Sequence, residues 1–223
     1  MNKKKLKKNI LSDTKSVFGR KVNFAIKRIS DITLSGIGLF IVSPILLVSA
    51  VLIKITMPGP VFFLQERVGK NGKLFKIYKF RTMKINKIAE KAHNASGDAT
   101  RITKLGRILR RFKIDELPQI INVFIGDMSL VGPRPTFPEH LKLYTSHERQ
   151  RLDMRPGMTG LAQVNGNAAL RWEDRIEYDL IYIDGFSVGM DIKILFRTVR
   201  VVLEGEDKFI HKLSGSDESK FIY

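Results

Sequence analysis

Two adjacent carboxylates, Asp115 and Glu116, stand in the stretch RRFKIDELPQIINVFIG, close to Arg107, Arg110, Arg111 and Lys113. A carboxylate can attack phosphorus or take up a proton, and neighbouring guanidinium groups hold phosphate oxygens through paired hydrogen bonds. The mixture suits chemistry on a phosphorylated substrate. Pro118 sets the local geometry: its ring clashes inside a helix but fits the first turn of one, so Leu117 is expected to join two segments. The acids then lie near a helix N-terminus, whose free N–H groups favour an anion. Taken alone, an Asp-Glu pair among basic residues more often marks a solvated patch, so the surrounding elements decide.

The chain has 223 residues, enough for one good core, and a formal net charge of +17. Such a charge calls for an anionic partner: nucleic acid, a lipid headgroup surface or a phosphorylated substrate. Cysteine is absent, which excludes disulfides and thiolate metal sites. His93, His140, His147 and His211 show no ligand spacing and read as surface residues.

Residues 1–22 form a Lys-rich tail, expected to be disordered and able to act on anionic lipids. Ile32 to Ile53 then runs 22 positions without a charge. As a straight helix it would be about 33 Å long, enough to cross a bilayer core. Two features oppose a simple span. Ser43 and Pro44 sit at its midpoint, where proline removes a backbone hydrogen bond, and the flanks are alike, with ten Lys or Arg in residues 1–31 and nine in 54–87. Both flanks are therefore expected on the cytoplasmic side, which a re-entrant helix broken at Ser43 and Pro44 satisfies. A plain span and a buried core helix are the alternatives.

From Pro58, two aromatic-rich runs flank Gly69 to Gly72, a pattern for a small hairpin or two extended arms. Residues 86–102 read as a mobile loop. Leu105, Ile108, Leu109 and Phe112 repeat at helical spacing among Lys104, Arg107, Arg110 and Arg111, giving a basic amphipathic helix for a membrane interface or for covering a core. Arg134 is held between Pro133 and Pro135, which limits the entropy lost when a guanidinium grips a phosphate; a structural salt bridge is the plainer use. A polar helix is expected over 138–153. A second Gly-rich loop, RPGMTGLAQVNGN, matches neither the P-loop nor the dinucleotide fingerprint. Amphipathic helices are expected over Trp172–Ile183 and Ser187–Leu203, with a polar tail from Gly205.

In this order, KRISD, the apolar segment containing SP, PVFFLQERVG, FKIYKFRTM, IDELPQIINVFIGDMSLVGPRP, RPGMTGLAQVNG and YDLIYIDGFSVGMDIKIL resemble the small monotopic polyprenyl-phosphate phosphoglycosyl transferases, or bacterial sugar transferases. The likeness covers Lys27 to about Thr198. It implies a mainly α fold with a small β-hairpin, monotopic in the membrane through the re-entrant helix and interfacial amphipathic helices. The expected division is a tail at 1–22, the membrane helix at 23–56, a cytosolic catalytic domain at 57–204 and a polar tail at 205–223. The implied reaction moves a sugar 1-phosphate from a UDP-sugar to polyprenyl (undecaprenyl) phosphate and releases UMP, on the cytosolic face of the bacterial inner membrane. By the same resemblance Asp115 is the nucleophile and a Mg²⁺ ligand, Glu116 assists the acceptor, Lys79, Arg81 and Arg134 hold phosphates, and Asp191 is an acid near the site. Anionic lipids are expected partners, nucleic acid is not, and a homodimer is compatible. One departure stands out: Asn167 and Ala168 occupy positions where many members carry Arg-Asn, which bears on the choice of sugar.

Two rival readings remain. A non-catalytic basic protein would bind nucleic acid or a membrane surface, but the uncharged segment has no use in a soluble nucleic-acid binder. A glycosyl transferase moving sugar alone would release UDP.

Overall fold

A long run of apolar residues without charge folds most readily as a helix, because every interior backbone group is satisfied locally. The computed structural model describes residues 17–85 and 99–204, so the polar tail from Gly205, and most of the basic tail and of the 86–102 loop, lie outside the described residues. Helix α1 runs from Val17 to Thr56, 40 residues. The boundary between tail and helix, expected at residue 22, therefore moves back to residue 17.

Pro44 lies inside α1, and the helix continues on both sides of it. Proline has no N–H for the Phe40 carbonyl, and Ser43 Oγ donates to that carbonyl instead, at 2.8 Å. The expected break is thus corrected: one side-chain bond replaces the lost backbone bond, and the helix is not interrupted at Ser43 and Pro44.

One stripe of α1 faces the rest of the protein. Lys27, Asp31, Ser35, Ser49 and Ile53 are buried at helical spacing, whereas Phe40, Ile41, Leu47 and Ile55 are 66% to 83% exposed. Val22–Thr56 is long and apolar enough to cross a membrane, and its most apolar stretch is only 11% buried. A core helix would be mostly buried. That alternative is set aside, and the helix is suited to lipid contact.

The expected hairpin is present. Strand β1 (Phe62–Val68) pairs antiparallel with β2 (Leu74–Phe80), from Phe62 opposite Phe80 to Val68 opposite Leu74. Asn71 and Gly72, both at positive φ, turn the chain between them. Helix α2 (Lys104–Arg111) starts at Thr103, whose hydroxyl accepts from the Gly106 N–H. Leu109 and Leu105 pack with Ile53, Met57 and Phe80, while Ile108 and Phe112 stay exposed. The basic amphipathic helix thus covers the end of α1 with one edge and leaves an apolar edge outside.

Helix α3 (Gln119–Ile125) follows, ended by Gly126 in the left-handed conformation. Two short strands, β3 (Ser129–Val131) and β4 (Gly157–Thr159), pair in parallel and join two Gly-containing loops, GDMSLVGPRP at 126–135 and RPGMTGLAQVNGN at 155–167, in a sheet that no local pattern announces. A Cβ on Gly157 would lie 2.1 Å from the Gly132 nitrogen, so glycine is needed for the two loops to meet backbone to backbone. The single helix expected over 138–153 is instead a 3₁₀ turn at Pro138–Lys142, helix α4 (Ser146–Arg149) and a 3₁₀ turn at Gln150–Asp153. A capping box, Thr145 with Glu148, restarts the chain there. Helices α5 (Trp172–Asp184) and α6 (Val188–Glu204) close the fold and bury Tyr182, Ile183, Phe186 and Ile194 against Val131, Met154, Leu161 and Val164. The molecule is mostly helical with two small sheets.

Candidate active site

Asp115 and Glu116 sit in a 3₁₀ turn, Ile114–Glu116, that opens with Lys113 at φ 56° and passes through Pro118 into α3. The junction expected at Leu117 is there. The turn is pinned from below by α1, where Arg28 donates to the Val123 and Phe124 carbonyls at the end of α3 at 2.8 and 3.0 Å. Asp31 accepts from the Leu130 N–H at 2.9 Å, and Lys27 donates to the Val131 carbonyl at 2.8 Å. The KRISD segment is therefore the polar joint between the apolar helix and the part that carries the acids.

A cavity of about 350 Å³ opens above the turn. Six cationic residues line it, Arg67, Lys79, Arg81, Arg101, Arg110 and Lys113, against two carboxylates, Asp115 and Glu116. The hairpin supplies part of this wall by its period of two. Phe63, Gln65 and Arg67 share one face of β1, and Lys79 lies opposite Phe63 on β2. Arg110 is brought in by α2, where its Nε donates to Thr82 Oγ1 at 2.9 Å.

The two acids differ in their surroundings. Glu116 Oε1 accepts from Lys79 Nζ at 2.6 Å and lies 3.4 Å from Arg134 Nη2. Burial would push Glu116 up, but Lys79, Arg134 and Lys113 outweigh it and hold the carboxyl at about 2. Lys79 is itself lowered, because burial with Arg134 and Arg67 outweighs the attraction of Glu116. Asp115 moves the other way: burial and the neighbouring Glu116 raise it, against Lys79 and Arg110. Its Oδ1 is buried with no hydrogen-bond partner among the described residues. A buried carboxylate oxygen left open beside surplus cations is placed to meet an electrophile or a cation carried in with an anionic substrate.

The other expected residues divide. Arg134 reaches the site, and its loop is fixed from behind. Arg151 donates to the Arg134 carbonyl at 3.1 Å while bound to Asp179 at 2.5 Å and to the Tyr144 hydroxyl at 2.7 Å. The Pro133 carbonyl accepts from the Gly157 N–H at 2.8 Å, and beyond Pro135 the Thr136 carbonyl accepts from the Val68 N–H at 2.9 Å. Arg81 lines the cavity, but its two terminal nitrogens donate to the Met57 and Pro58 carbonyls at the end of α1. It tethers that helix rather than presenting an open fork to a phosphate. Asp191 is not brought to the cavity: it pairs with Lys27 at 2.6 Å and accepts from the Tyr182 hydroxyl at 2.6 Å. Arg67 and Arg101 were not among the expected phosphate binders. Arg67 stacks on the Phe137 ring at 3.6 Å, and burial together with Arg134 lowers its guanidinium to about 10. The strand period of two would have placed Arg67 on the face of Lys79; nothing in the sequence marks Arg101.

A family model described as "Bacterial sugar transferase" matches residues 22–205. The chain belongs to the bacterial sugar transferase family. It is 44% identical over 181 residues to the uncharacterised sugar transferase EpsL of Bacillus subtilis, covering 81% of this chain and 89% of that protein. It is 45% identical over 186 residues to the UDP-glucose:undecaprenyl-phosphate glucose-1-phosphate transferase of Klebsiella pneumoniae, covering 80% of this chain and 40% of that one. With the UDP-N-acetylgalactosamine-undecaprenyl-phosphate N-acetylgalactosaminephosphotransferase of Aeromonas hydrophila the identity is 44% over 186 residues, 81% of this chain and 44% of the relative. The chain thus spans less than half the length of these two named transferases. In this sugar transferase Asn167, at the position of the departure noted above, holds φ at 43°, a left-handed conformation that asparagine tolerates better than most side chains.

Proposed function

We propose that this sugar transferase moves a sugar 1-phosphate from a UDP-sugar to polyprenyl phosphate by way of a covalent phosphosugar on Asp115. The observation that carries this is the open, buried Oδ1 of Asp115 at a cavity with surplus positive charge. In the first step an Asp115 oxygen attacks the phosphorus bonded to the sugar. A phosphorus–oxygen bond forms, the bond to the UMP phosphate breaks, and UMP leaves with the electron pair. In the second step a phosphate oxygen of the polyprenyl phosphate attacks the same phosphorus; the bond to Asp115 breaks, and its carboxylate is restored. The product is a polyprenyl diphosphate sugar. Glu116 assists that acceptor, while Lys79, Arg67, Arg110 and Arg134 offset charge on the phosphates and hold the reacting groups in line.

Mg²⁺ fits this donor set. Among the described residues no group of three or more His, Cys, Asp or Glu gathers, but Mg²⁺ is commonly held by one or two carboxylates with substrate phosphates and water. Asp115 would hold it. When bound, it would neutralise phosphate charge.

We place α1 in the cytosolic leaflet of the bacterial inner membrane without crossing it, so that the lipid-linked acceptor meets the cavity at the surface. Contacts along the helix support this course. A Cβ at Gly38 would lie 2.6 Å from Ile120, and Leu46 packs with the Ile53 cluster, so only eight residues separate these contacts with the body. That is about 12 Å of helix, against a hydrocarbon core of roughly 30 Å. Tags at Met1 and Tyr223 should both be reached from the cytoplasm; tags on opposite sides would show a span.

The deciding assay is UMP release from a panel of UDP-sugars, with protein in nanodiscs, Mg²⁺ and polyprenyl phosphate. Release of UMP with one donor, with a phosphosugar mass increment on intact protein before acceptor is added, is the expected result. Release of UDP would replace phosphosugar transfer with simple glycosyl transfer.

A further inference from the structure

The outer edge of β2 faces α3, and its backbone groups at Lys76 and Tyr78 need partners there. One side chain supplies both. Asn122, fully buried in the middle of α3, accepts from the Tyr78 N–H through Oδ1 at 3.0 Å and donates from Nδ2 to the Lys76 carbonyl at 2.8 Å. A carboxamide carries the same donor and acceptor as a peptide group, so Asn122 occupies the place of a third strand at this point of the edge. Its Nδ2 also lies 3.3 Å from Asp127 Oδ2. Beside these bonds, Ile77 of β2 packs against Val123 of α3 and against Met128 just beyond it. Apolar burial favours contact without fixing register, whereas a pair of buried hydrogen bonds fixes both direction and distance.

The two elements joined this way carry opposite halves of the site. Lys79 follows Tyr78 directly on β2, and α3 continues from the turn that holds Asp115 and Glu116. We infer that Asn122 is a positioning residue for the reaction, locking the strand of Lys79 to the helix behind the acidic turn and thereby setting the contact of Lys79 with Glu116. It does not touch substrate. The inference rests on the reading of Asp115 and Glu116 as the reacting acids.

The test is a double-mutant cycle on UMP release by nanodisc-embedded protein. Asn122→Asp keeps the size and the acceptor but loses the donor to Lys76; Asn122→Ser loses the reach of the amide. Both are compared, per folded molecule, with Val123→Ala, which opens the adjacent core without touching β2 backbone bonds. Each Asn122 variant should lower kcat/KM by roughly 10- to 100-fold, in line with a displacement of about 1 Å at a reacting centre. Val123→Ala should lower the thermal midpoint and leave turnover per folded molecule near the parent value. In a Lys79→Met background the Asn122 substitutions should add less than about 2-fold, because the contact they protect is already gone. Fully multiplicative losses in that background, or a loss in Val123→Ala equal to that of either Asn122 variant, would overturn the assignment. Parent protein that releases no UMP with any donor would instead overturn the functional reading on which it rests.

Discussion

By length alone, Lys79 with Glu116 and Lys27 with Asp191 are the same contact, 2.6 Å in each. Their surroundings separate them. Lys27 also donates to the Val131 carbonyl, and Asp191 also accepts from the Tyr182 hydroxyl, so each charge in that joint is answered by the protein. Glu116 instead takes Lys79 and Arg134 on one oxygen, beside a cavity lined by five further cationic residues and one open carboxylate, Asp115. A closed pair holds elements together. Surplus positive charge around an unpartnered oxygen binds an anion, and that surplus, not the length of any ion pair, distinguishes a site from a joint.

The largest test of this contrast is Asp115→Asn. It should lower turnover on the order of 10⁴-fold or more, as removal of a nucleophile does. It should leave the thermal midpoint unchanged or slightly higher, because burial already disfavours the charged form of Asp115. Substantial UMP release by the variant would remove Asp115 from its role. Arg134→Met comes next. Charge-assisted bonds to phosphate contribute about 1.5–3 kcal/mol, so kcat/KM for the donor should fall roughly 10- to 100-fold with little loss of fold. Asp191→Asn should do the reverse. Breaking a buried pair on one side costs about 3–5 kcal/mol, seen as a lower thermal midpoint, while turnover per folded molecule stays near the parent's. If turnover falls as it does in Arg134→Met, then Asp191 belongs to the site, as the resemblance implied, and the contrast dissolves.

What the sequence reveals depends on how far apart the cooperating residues are. The apolar helix, the hairpin about Gly69 to Gly72, and helices α5 and α6 follow from local periodicity, and the acids with their Pro118 junction follow from adjacent residues. The joint of Lys27 with Asp191 spans 164 positions and depends on the packing of three helices, so no local pattern marks it. The same holds for β3 and β4: the glycines of both loops are visible, but not that they exist to let two backbones touch. Arg81 sits in a motif beside Lys79, yet its fork turns to the end of α1, a direction set by where that helix stops. The restart at Thr145, by contrast, is marked locally by the Thr-x-x-Glu spacing, which the longer polar run over 138–153 masks.

The smallest effects are in pH. Glu116 is held at about 2 against 4.5 for a free glutamate, so its contribution to stability is present above about 4.5 and lost as pH falls toward 2. Asp179, in the closed pair with Arg151, goes the opposite way. Burial outweighs Arg151 and pushes it up to about 6 from 3.8, so the folded state takes up this proton more readily than the unfolded chain. Its favourable contribution is complete below about 3.8 and disappears as pH rises through 6. Thermal midpoints measured against pH should therefore separate the two acids. Glu116→Gln should flatten the fall below about 4.5 and leave the region between about 5 and 6 unchanged. Asp179→Asn should remove the slope between about 4 and 6 and leave the acid fall intact. A Glu116→Gln variant that still loses stability below pH 4.5 as steeply as the parent would mean that Lys79 and Arg134 do not hold Glu116 ionised. The cations of the cavity would then be organised by something other than this carboxylate.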